Sequence, residues 1–184
     1  VVEPGRNAVL HAPTFEMIGR GVRLASGEVR SVPWRGGPFP LGEYLEKIDA
    51  ETALAALVTP NNPTGGAVAG DALVAIAERA AACGALVMVD LAYIEFADQD
   101  PTPRLLTLNN VVMIRTFSKA FGLAGLRVGY AIAPPAVAPW LRTVGGPYPV
   151  STVSLSLAGR ALRSAAWRKT FSAKPTGSDR PSKP

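Results

Sequence analysis

The apolar residues of this chain follow two patterns, and each pattern predicts a different kind of element. Short runs rich in β-branched and aliphatic residues predict strands, whereas apolar residues three and four positions apart predict amphipathic helices. The predicted strands are 7–13, 28–33, 53–60, 85–90, 111–117 and 127–134. The predicted helices lie within 41–50, 71–84, 103–108 and 151–165.

Helix ends and one helix face can also be predicted. Asp71 and Ser151 are well placed to cap the starts of two helices, and Gly84 is placed to end one of them. Along the last helix we expect one apolar side, formed by Leu155, Ala158, Leu162 and Ala165.

The alternation of strands and helices predicts an α/β fold with a mainly parallel sheet. Because the strands are continuously apolar, we expect helices on both faces, in a three-layer α/β/α arrangement. Ligands of such sheets bind at the carboxyl ends of the strands. Three loops follow predicted strands there, with the sequences TPNNPTGG (59–66), DLAY (90–93) and TFSKAFG (116–122).

Composition favours one soluble globular domain. The chain of 184 residues is long enough to bury a core. Its composition, 48% hydrophobic and 18% charged, is typical of a soluble globular protein. No apolar run is long enough to span a bilayer and no signal peptide is visible, so we expect no membrane partner. The one cysteine, Cys83, excludes an internal disulfide and indicates a reducing compartment, so we expect a cytoplasmic protein.

The net charge of +5 comes from the C-terminal segment. From Arg160 onward there are seven basic residues against one acidic residue, Asp179, whereas the preceding 159 residues hold twelve basic and thirteen acidic ones. No nucleic-acid-binding motif accompanies this segment, so we expect a solvated tail and no nucleic-acid partner. We predict a folded domain over 1–168 and a disordered basic tail over 169–184.

Polar residues cluster at the ends of three predicted strands. Asp90 ends an apolar strand, where an unpaired carboxylate is costly unless a cation or a donor meets it. Tyr93 follows three residues later, and Asn62 precedes a proline in a rigid turn that would aim its amide. The next strand end is surrounded by hydroxyls, an amine and a guanidinium, from Thr116, Ser118, Lys119 and Arg127. Such a set suits a cofactor that carries a phosphate and a reactive carbonyl.

Other cofactor classes lack their sequence signals. No G-x-G-x-x-G follows a strand, and GGAVAGDA (65–72) lacks the Lys-Ser/Thr pair of a P-loop, so a nucleotide site is not predicted. No metal site is predicted either.

Three segments, in this order and spacing, resemble a known family. NNPTG (61–65), DLAY (90–93) and SKAFGLAGLRVGY (118–130) are similar to fold-type I pyridoxal-phosphate enzymes, and in particular to class I/II aminotransferases of the histidinol-phosphate aminotransferase kind. The similarity runs from about Pro4 to about Arg168. It implies the large domain of that fold and the cofactor pyridoxal 5'-phosphate.

The resemblance implies a role for each residue around the cofactor ring. Lys119 would form the Schiff base and later move a proton, and Asp90 would pair with the pyridinium nitrogen. Asn62 and Tyr93 would hydrogen-bond the ring oxygen. Phe15, in APTFEM (12–17), matches the aromatic position that stacks on the ring.

The resemblance also implies a phosphate site. Thr116, Ser118 and Arg127 would hold the phosphate, Arg127 by its planar fork. Three glycines would allow close backbone turns around the site, namely Gly122, Gly125 and Gly129.

Each assignment has a simpler alternative. Taken alone, Lys119 would be a solvated loop lysine, Asp90 a helix cap and Arg127 half of a surface ion pair. Phe15 would be a core residue and the two hydroxyl residues would cap turns. His11 lies in an apolar strand and is expected to be a packed core histidine.

The chain also departs from the family pattern. It opens at Val1 without a methionine and leads at once into a strand, so it reads as a section of a longer protein. Family members carry a glycine-containing phosphate loop and an N-terminal arm upstream, and a small domain downstream, that are not recognisable here. We therefore expect a large domain whose small domain is missing or truncated, and a homodimer only if the full chain is present.

Three functions remain open from the sequence. The first is transfer of an amino group between an amino acid, or an amino-alcohol phosphate such as histidinol phosphate, and a 2-oxo acid. The second is decarboxylation of an amino acid on the same scaffold, since the cofactor serves both reactions. The third is a non-catalytic fragment of such an enzyme.

Overall fold

The computed structural model describes residues 2–146 and 149–164. Within them, six strands form one sheet with the order β2-β1-β3-β4-β5-β6. Their bounds are β1 Asn7–Ala12, β2 Glu28–Pro33, β3 Thr52–Val58, β4 Leu86–Asp90, β5 Val111–Thr116 and β6 Gly129–Ile132. Every pairing is parallel except that of β5 with β6, which is antiparallel. The mainly parallel sheet predicted from the sequence is confirmed.

The described segments also contain six α-helices and two short 3-10 turns, of which α5 and α6 follow the last strand. The helices are α1 Glu16–Leu24, α2 Leu41–Glu46, α3 Gly70–Ala82, α4 Thr102–Leu105, α5 Ala138–Val144 and α6 Thr152–Arg163. The 3-10 turns are Ile94–Phe96 and Ala124–Leu126. None of the helices in the described segments is both long and apolar enough to cross a membrane.

The helices cover both faces of the sheet. On one face, α2, α3 and α4 bury residues such as Tyr44, Leu73 and Leu105 against inward-facing side chains of the central strands. On the other face, α1 packs Val22 against Ala8 and the other small apolar side chains of β1 and β3. This arrangement confirms the three-layer α/β/α fold.

Two predicted helix ends are confirmed and one is wrong. The Ser151 hydroxyl accepts a hydrogen bond from the Ser154 N–H at 3.1 Å, which caps α6, and Gly84 follows α3 with a φ of +70°. Asp71 does not cap α3, because the helix already begins after Ala69 and the Asp71 carboxylate pairs with Arg104 instead.

The apolar side predicted for α6 is confirmed at Ala158 and wrong at Leu155 and Leu162. Ala158 and Ala161 are the buried residues of this helix, and they pack against the loop after β5, whereas Leu155 and Leu162 are exposed. The fourth predicted position, Ala165, and the predicted tail over 169–184 lie outside the described residues.

His11 is the fully buried core histidine that the sequence predicts. Its Nε2 accepts a hydrogen bond from the Val58 N–H at 3.1 Å, so the ring proton lies on Nδ1, 3.3 Å from the Pro13 carbonyl. The ring also meets Trp34 edge-on, with 5.3 Å between centroids. Burial lowers the pKa of His11 from 6.5 to about 4, against a smaller opposing effect of the Pro13 carbonyl. The imidazole is therefore neutral and joins β1 to β3.

Candidate functional site

The sheet brings the three candidate loops to one edge. Val58 of β3 pairs with Asp90 of β4, and Asp90 pairs with Ile114 of β5, so these parallel strands end at nearly the same level. Backbone hydrogen bonds continue past the strand ends, from the Thr59 N–H to the Asp90 carbonyl and from the Leu91 N–H to the Ile114 carbonyl, both at 2.9 Å. The loops that follow β3, β4 and β5 are consequently neighbours, as the sequence predicts.

Asp90 is a half-buried carboxylate at the end of β4. Its Oδ1 accepts a hydrogen bond from the Ala92 N–H at 2.9 Å. Burial raises the pKa of Asp90, and the Ala92 N–H and the positive charge of Lys119 act in the opposite direction. Within the described residues Asp90 forms no ion pair at contact distance, so its charge is only partly compensated by the protein.

Lys119 lies beside Tyr93. The Lys119 Nζ is 5.1 Å from the centroid of the Tyr93 ring, which is within the range of a cation–π contact. Tyr93 directly precedes the 3-10 turn Ile94–Phe96, whose Phe96 N–H donates to the Tyr93 carbonyl at 3.0 Å. Two predicted site residues from different loops thus meet.

The loop around Lys119 explains why this lysine points outward. Phe117, Ala120 and Phe121 are buried, and the two phenylalanine rings pack against α6. The backbone then turns back, with the Gly122 N–H donating to the Lys119 carbonyl at 2.9 Å and Gly122 at a φ of +66°. Because its neighbours are anchored in the core, the exposed lysine is held in a fixed loop.

The predicted phosphate residues lie on the connection between β5 and β6. The Thr116 hydroxyl accepts from the Ser118 N–H at 3.0 Å and donates to the Val128 carbonyl at 3.4 Å. Arg127 has a φ of 54° and donates from Nη1 to the Ala124 carbonyl at 2.9 Å. Arg127 forms no ion pair among the residues that the structure describes, so the alternative of a surface ion pair is not seen.

Two of the three predicted glycines are structurally required. Gly122 has the positive φ noted above, and a Cβ on Gly129 would lie 2.9 Å from the Arg115 carbonyl oxygen. Gly125 has neither constraint, because a Cβ there would meet nothing within 4 Å. The close backbone approach at Gly129 keeps Thr116 and Arg127 on adjacent stretches of chain.

Asn62 and Phe15 reach the same edge from other strands. Asn62 is half-buried and lines, together with Tyr93, a cavity of about 900 Å³ between the loops after β3 and β4. Phe15 follows β1 at the start of α1 and is 42% exposed, so the alternative that it is a core residue is wrong. Asp90 lies two positions after Met88 in β4, so the two side chains point to the same face of the sheet. Met88 packs on the face covered by α1, and Phe15 lies at the start of α1, so Asp90 and Phe15 lie toward the same layer.

Sequence reasoning missed Asn61, which lies next to the predicted Asn62. Asn61 is buried, and its Nδ2 donates to the Pro13 carbonyl at 3.0 Å and to the Thr64 hydroxyl at 2.8 Å. The Pro13 carbonyl also faces His11 Nδ1, so one carbonyl connects the loops after β1 and β3. Adjacent asparagines in the sequence give no indication of which one turns inward.

The donor set limits the chemistry that this edge can perform. It offers an amine nucleophile, a carboxylate that accepts a proton or a positive charge, and several hydroxyl, amide and guanidinium donors. No group of three or more histidine, cysteine and acidic residues suited to a metal ion occurs in the described part of the chain. The fold is that of an α/β protein, and this edge is a candidate ligand site with Lys119 at its centre.

Comparison with known proteins gives the family. The model of the family "Aminotransferase class I and II" matches residues 1–174, and the chain belongs to this family. The predicted resemblance is confirmed.

Curated relatives are similar in sequence over most of this chain. A histidinol-phosphate aminotransferase of Methanopyrus kandleri is 38% identical over 166 residues, which are 89% of this chain and 42% of the relative. Another, of Staphylococcus haemolyticus, is 38% identical over 179 residues, which are 95% of this chain and 50% of the relative. The chain spans about half the length of the curated relatives it matches.

Solved structures agree with the fold. The histidinol-phosphate aminotransferase of Sinorhizobium meliloti, solved with pyridoxal-5'-phosphate, superposes with a TM-score of 0.85 at 30% identity, over 94% of this chain and 48% of that one. The L-threonine-O-3-phosphate decarboxylase of Porphyromonas gingivalis superposes with a TM-score of 0.75 at 21% identity, over 92% and 49% respectively. At that identity the second likeness shows the fold alone.

Proposed function

We propose that this chain is the cofactor-holding part of a pyridoxal-phosphate-dependent aminotransferase. The whole protein would transfer an amino group between an amino acid, or an amino-alcohol phosphate such as histidinol phosphate, and a 2-oxo acid. The proposal depends chiefly on one observation, the meeting of Lys119 and Tyr93 at the strand edge where Asp90 ends β4. Family membership supports the same reading.

The residues around the proposed ring position suit pyridoxal phosphate. Asp90 has a pKa raised by burial and no ion-pair partner at contact distance in the described segments, so a protonated ring nitrogen would supply the missing charge. Asn62 and Tyr93 would donate to the ring oxygen from the two neighbouring loops. Phe15, exposed at the start of α1, would pack on the ring.

The phosphate would lie at the connection between β5 and β6. Ser118 offers its hydroxyl, and Arg127 keeps N–H groups beyond the one that donates to Ala124. The Thr116 hydroxyl is already bonded inside the loop, so we propose that it mainly fixes the loop and reaches the phosphate by rotating. An arginine with its planar fork is suited to a phosphate.

The chain's own groups would divide the tasks of the reaction among them. Pyridoxal phosphate, when bound, supplies an aldehyde for covalent attachment and a ring that accepts electrons. Lys119 Nζ would attach the aldehyde and later move a proton at the substrate α-carbon. Asp90 would hold the proton on the ring nitrogen, and Tyr93 would keep Nζ beside the ring oxygen.

The comparisons do not favour decarboxylation. The decarboxylase likeness is limited to the fold, whereas the sequence relatives at 35–38% identity are histidinol-phosphate aminotransferases. Product analysis separates the two reactions, because incubation with glutamate yields 2-oxoglutarate by transfer and carbon dioxide by decarboxylation.

Trapping the covalent link tests the proposal without requiring turnover. The protein is incubated with pyridoxal phosphate, treated with borohydride and analysed by peptide mass spectrometry. We expect the label on the peptide that contains Lys119 and its loss in Lys119→Ala. Lys47→Ala, at an exposed position after α2, is the matched control and should label like the unchanged protein. Labelling retained in Lys119→Ala would refute the assignment.

Assembly and location of the whole protein are also proposals. We expect a homodimer in the cytoplasm, and sedimentation of the full-length protein measures the first. Several apolar side chains of α5 and α6 are exposed in this chain, such as Trp140 and Val144, which supports burial of this surface in a larger assembly. If this chain by itself formed a dimer that turns over, the alternative of a non-catalytic fragment would be removed.

A further inference from the structure

A cluster of charges between β5 and the segment after β4 has no part in the proposed chemistry. Arg115 Nη2 lies 3.1 Å from Glu95 Oε1, and Nη1 lies 3.3 Å from both Asp100 Oδ2 and the Thr102 hydroxyl. The side chains of Arg115 and Glu95 are only 14% and 15% exposed, whereas that of Asp100 is 45% exposed. Removing Arg115 would leave the mostly buried Glu95 carboxylate without this partner, whereas removing Glu95 would leave Arg115 paired only with the more exposed Asp100.

This ion pair joins the two stretches of chain that carry Lys119 and Tyr93. Arg115 directly precedes Thr116, in the strand that leads to Lys119, and Glu95 lies in the 3-10 turn Ile94–Phe96 that follows Tyr93. Arg115 lies two positions after Met113 in β5, so the two side chains point to the same face of the sheet. Met113 packs on the face covered by α3, so the Arg115 guanidinium extends away from the face toward which Asp90 lies. This guanidinium reaches the turn after Tyr93 through Glu95.

Tyr93 needs such an anchor. Its ring centroid lies 5.1 Å from the Lys119 Nζ and 6.5 Å from the centroid of the Phe96 ring. Within 2–146 and 149–164 its hydroxyl makes no hydrogen bond. The position of the turn therefore decides where the hydroxyl points. Ile94 is buried on one side of the turn, and the Glu95–Arg115 pair fixes the other side.

We propose that Arg115 and Glu95 are positioning residues that hold Tyr93 beside Lys119. This inference rests on the proposed function, because it assigns the pair the task of aiming the Tyr93 hydroxyl at the bound cofactor. Without the pair, the Tyr93 hydroxyl should lose its hydrogen bond to the cofactor, and this loss should be measurable as weaker binding.

Cofactor titration of Glu95→Gln tests the proposal. This change keeps the shape of the side chain and removes its charge. Titration with pyridoxal phosphate, followed by absorbance, should show an apparent Kd up to roughly tenfold weaker than that of the unchanged protein, which is the loss expected for one hydrogen bond. Asp71→Asn, which breaks the exposed pair with Arg104, is the matched control and should change the Kd by less than about twofold. An unchanged Kd in Glu95→Gln would overturn the proposal.

A double-mutant cycle separates positioning from general stability. If the pair acts through Tyr93, Glu95→Gln should weaken binding by less than about twofold in a Tyr93→Phe background, because the hydroxyl being aimed is absent. An equal loss in both backgrounds would mean a merely structural role and would overturn the inference. Arg115→Lys keeps the charge without the fork and should give an intermediate Kd.

Two further outcomes keep the test decisive. If Glu95→Gln does not fold, Asp100→Asn removes the more exposed partner and should show a smaller loss that also disappears in Tyr93→Phe. If the unchanged protein gives no cofactor-dependent absorbance, the proposed function fails and the positioning role fails with it. Absorbance in the unchanged protein with no effect of either variant overturns the positioning role alone.

Discussion

Acidification should destabilise this protein through one buried side chain. His11 is the only histidine of the chain, and it is fully buried with a pKa near 4, below its ordinary value of 6.5. Its Nε2 accepts from Val58, so a proton on that nitrogen would break the hydrogen bond between β1 and β3. The unfolded chain therefore binds this proton before the folded protein does, and the free energy of unfolding falls as the pH drops from 6.5 toward 4.

The size of the effect follows from the two pKa values. A difference of one pKa unit corresponds to about 1.4 kcal/mol, so a pKa of about 4 implies a total loss of about 3 kcal/mol once both states are protonated. Most of it, about 2 kcal/mol, should be lost between pH 7 and pH 5. Asp90 acts in the opposite direction. Burial raises its pKa, so its protonation at lower pH removes the cost of keeping a charged carboxylate away from water and stabilises the folded protein. Asp49, whose pKa is lowered to about 2 mainly by its hydrogen bond to Arg30, titrates below this window in the folded protein.

Urea unfolding at several pH values measures this loss. His11→Asn should be less stable than the unchanged protein at pH 7 but should lose about 2 kcal/mol less between pH 7 and pH 5, because no histidine remains to be protonated. Equal losses in the two proteins would refute the reasoning. If the variant does not fold, NMR of the unchanged protein decides instead, since its single imidazole should not titrate above pH 5.

Two further predictions concern the backbone of the loop after β5. Gly129→Ala should lower the free energy of unfolding by about 1–3 kcal/mol, because its Cβ would lie 2.9 Å from the Arg115 carbonyl oxygen. Gly125→Ala, whose Cβ would meet nothing within 4 Å, should change the free energy of unfolding by less than about 0.5 kcal/mol. Chemical denaturation of the two variants measures both values, and equal effects would contradict the steric argument. Arg127→Gly should raise the free energy of unfolding by up to about 1 kcal/mol, because glycine adopts the φ of 54° without strain, and it should weaken the binding of pyridoxal phosphate. Arg127→Ala should weaken binding without the gain in stability. A loss of stability in Arg127→Gly would be the opposite of what we expect.

The sequence predicts the strands of this fold better than its helices. β3, β4 and β5 consist mostly of continuous apolar runs. Such a short run is typical of a strand that is buried on both faces of a parallel sheet. α1 is not predicted, because its sequence EMIGRGVRL contains two glycines and buries only Gly19 and Val22. α5 is not predicted either, and none of its residues is buried. The apolar side predicted for α6 is right at Ala158 but wrong at Leu155 and Leu162, because periodicity alone does not say which side of a helix meets the core.

The site is predictable where it depends on strand ends and hidden where it depends on packing. Lys119 and Tyr93 come from loops that follow adjacent strands, so the order of the strands brings them together. The pairing of Arg115 with Glu95 joins residues twenty positions apart and depends on how a 3-10 turn packs against β5. No spacing rule relates such residues, and the pair is visible only in three dimensions.

The reversed direction of β6 has a consequence for how this region can vary. Because β6 runs against β5, the loop 117–128 leaves the edge where β5 ends and returns to it, so one loop carries both the amine of Lys119 and the guanidinium of Arg127. An insertion or deletion in that loop would displace the proposed covalent anchor and the proposed anion-binding group together. Changes of length are better tolerated at the opposite ends of the strands, where neither group would move.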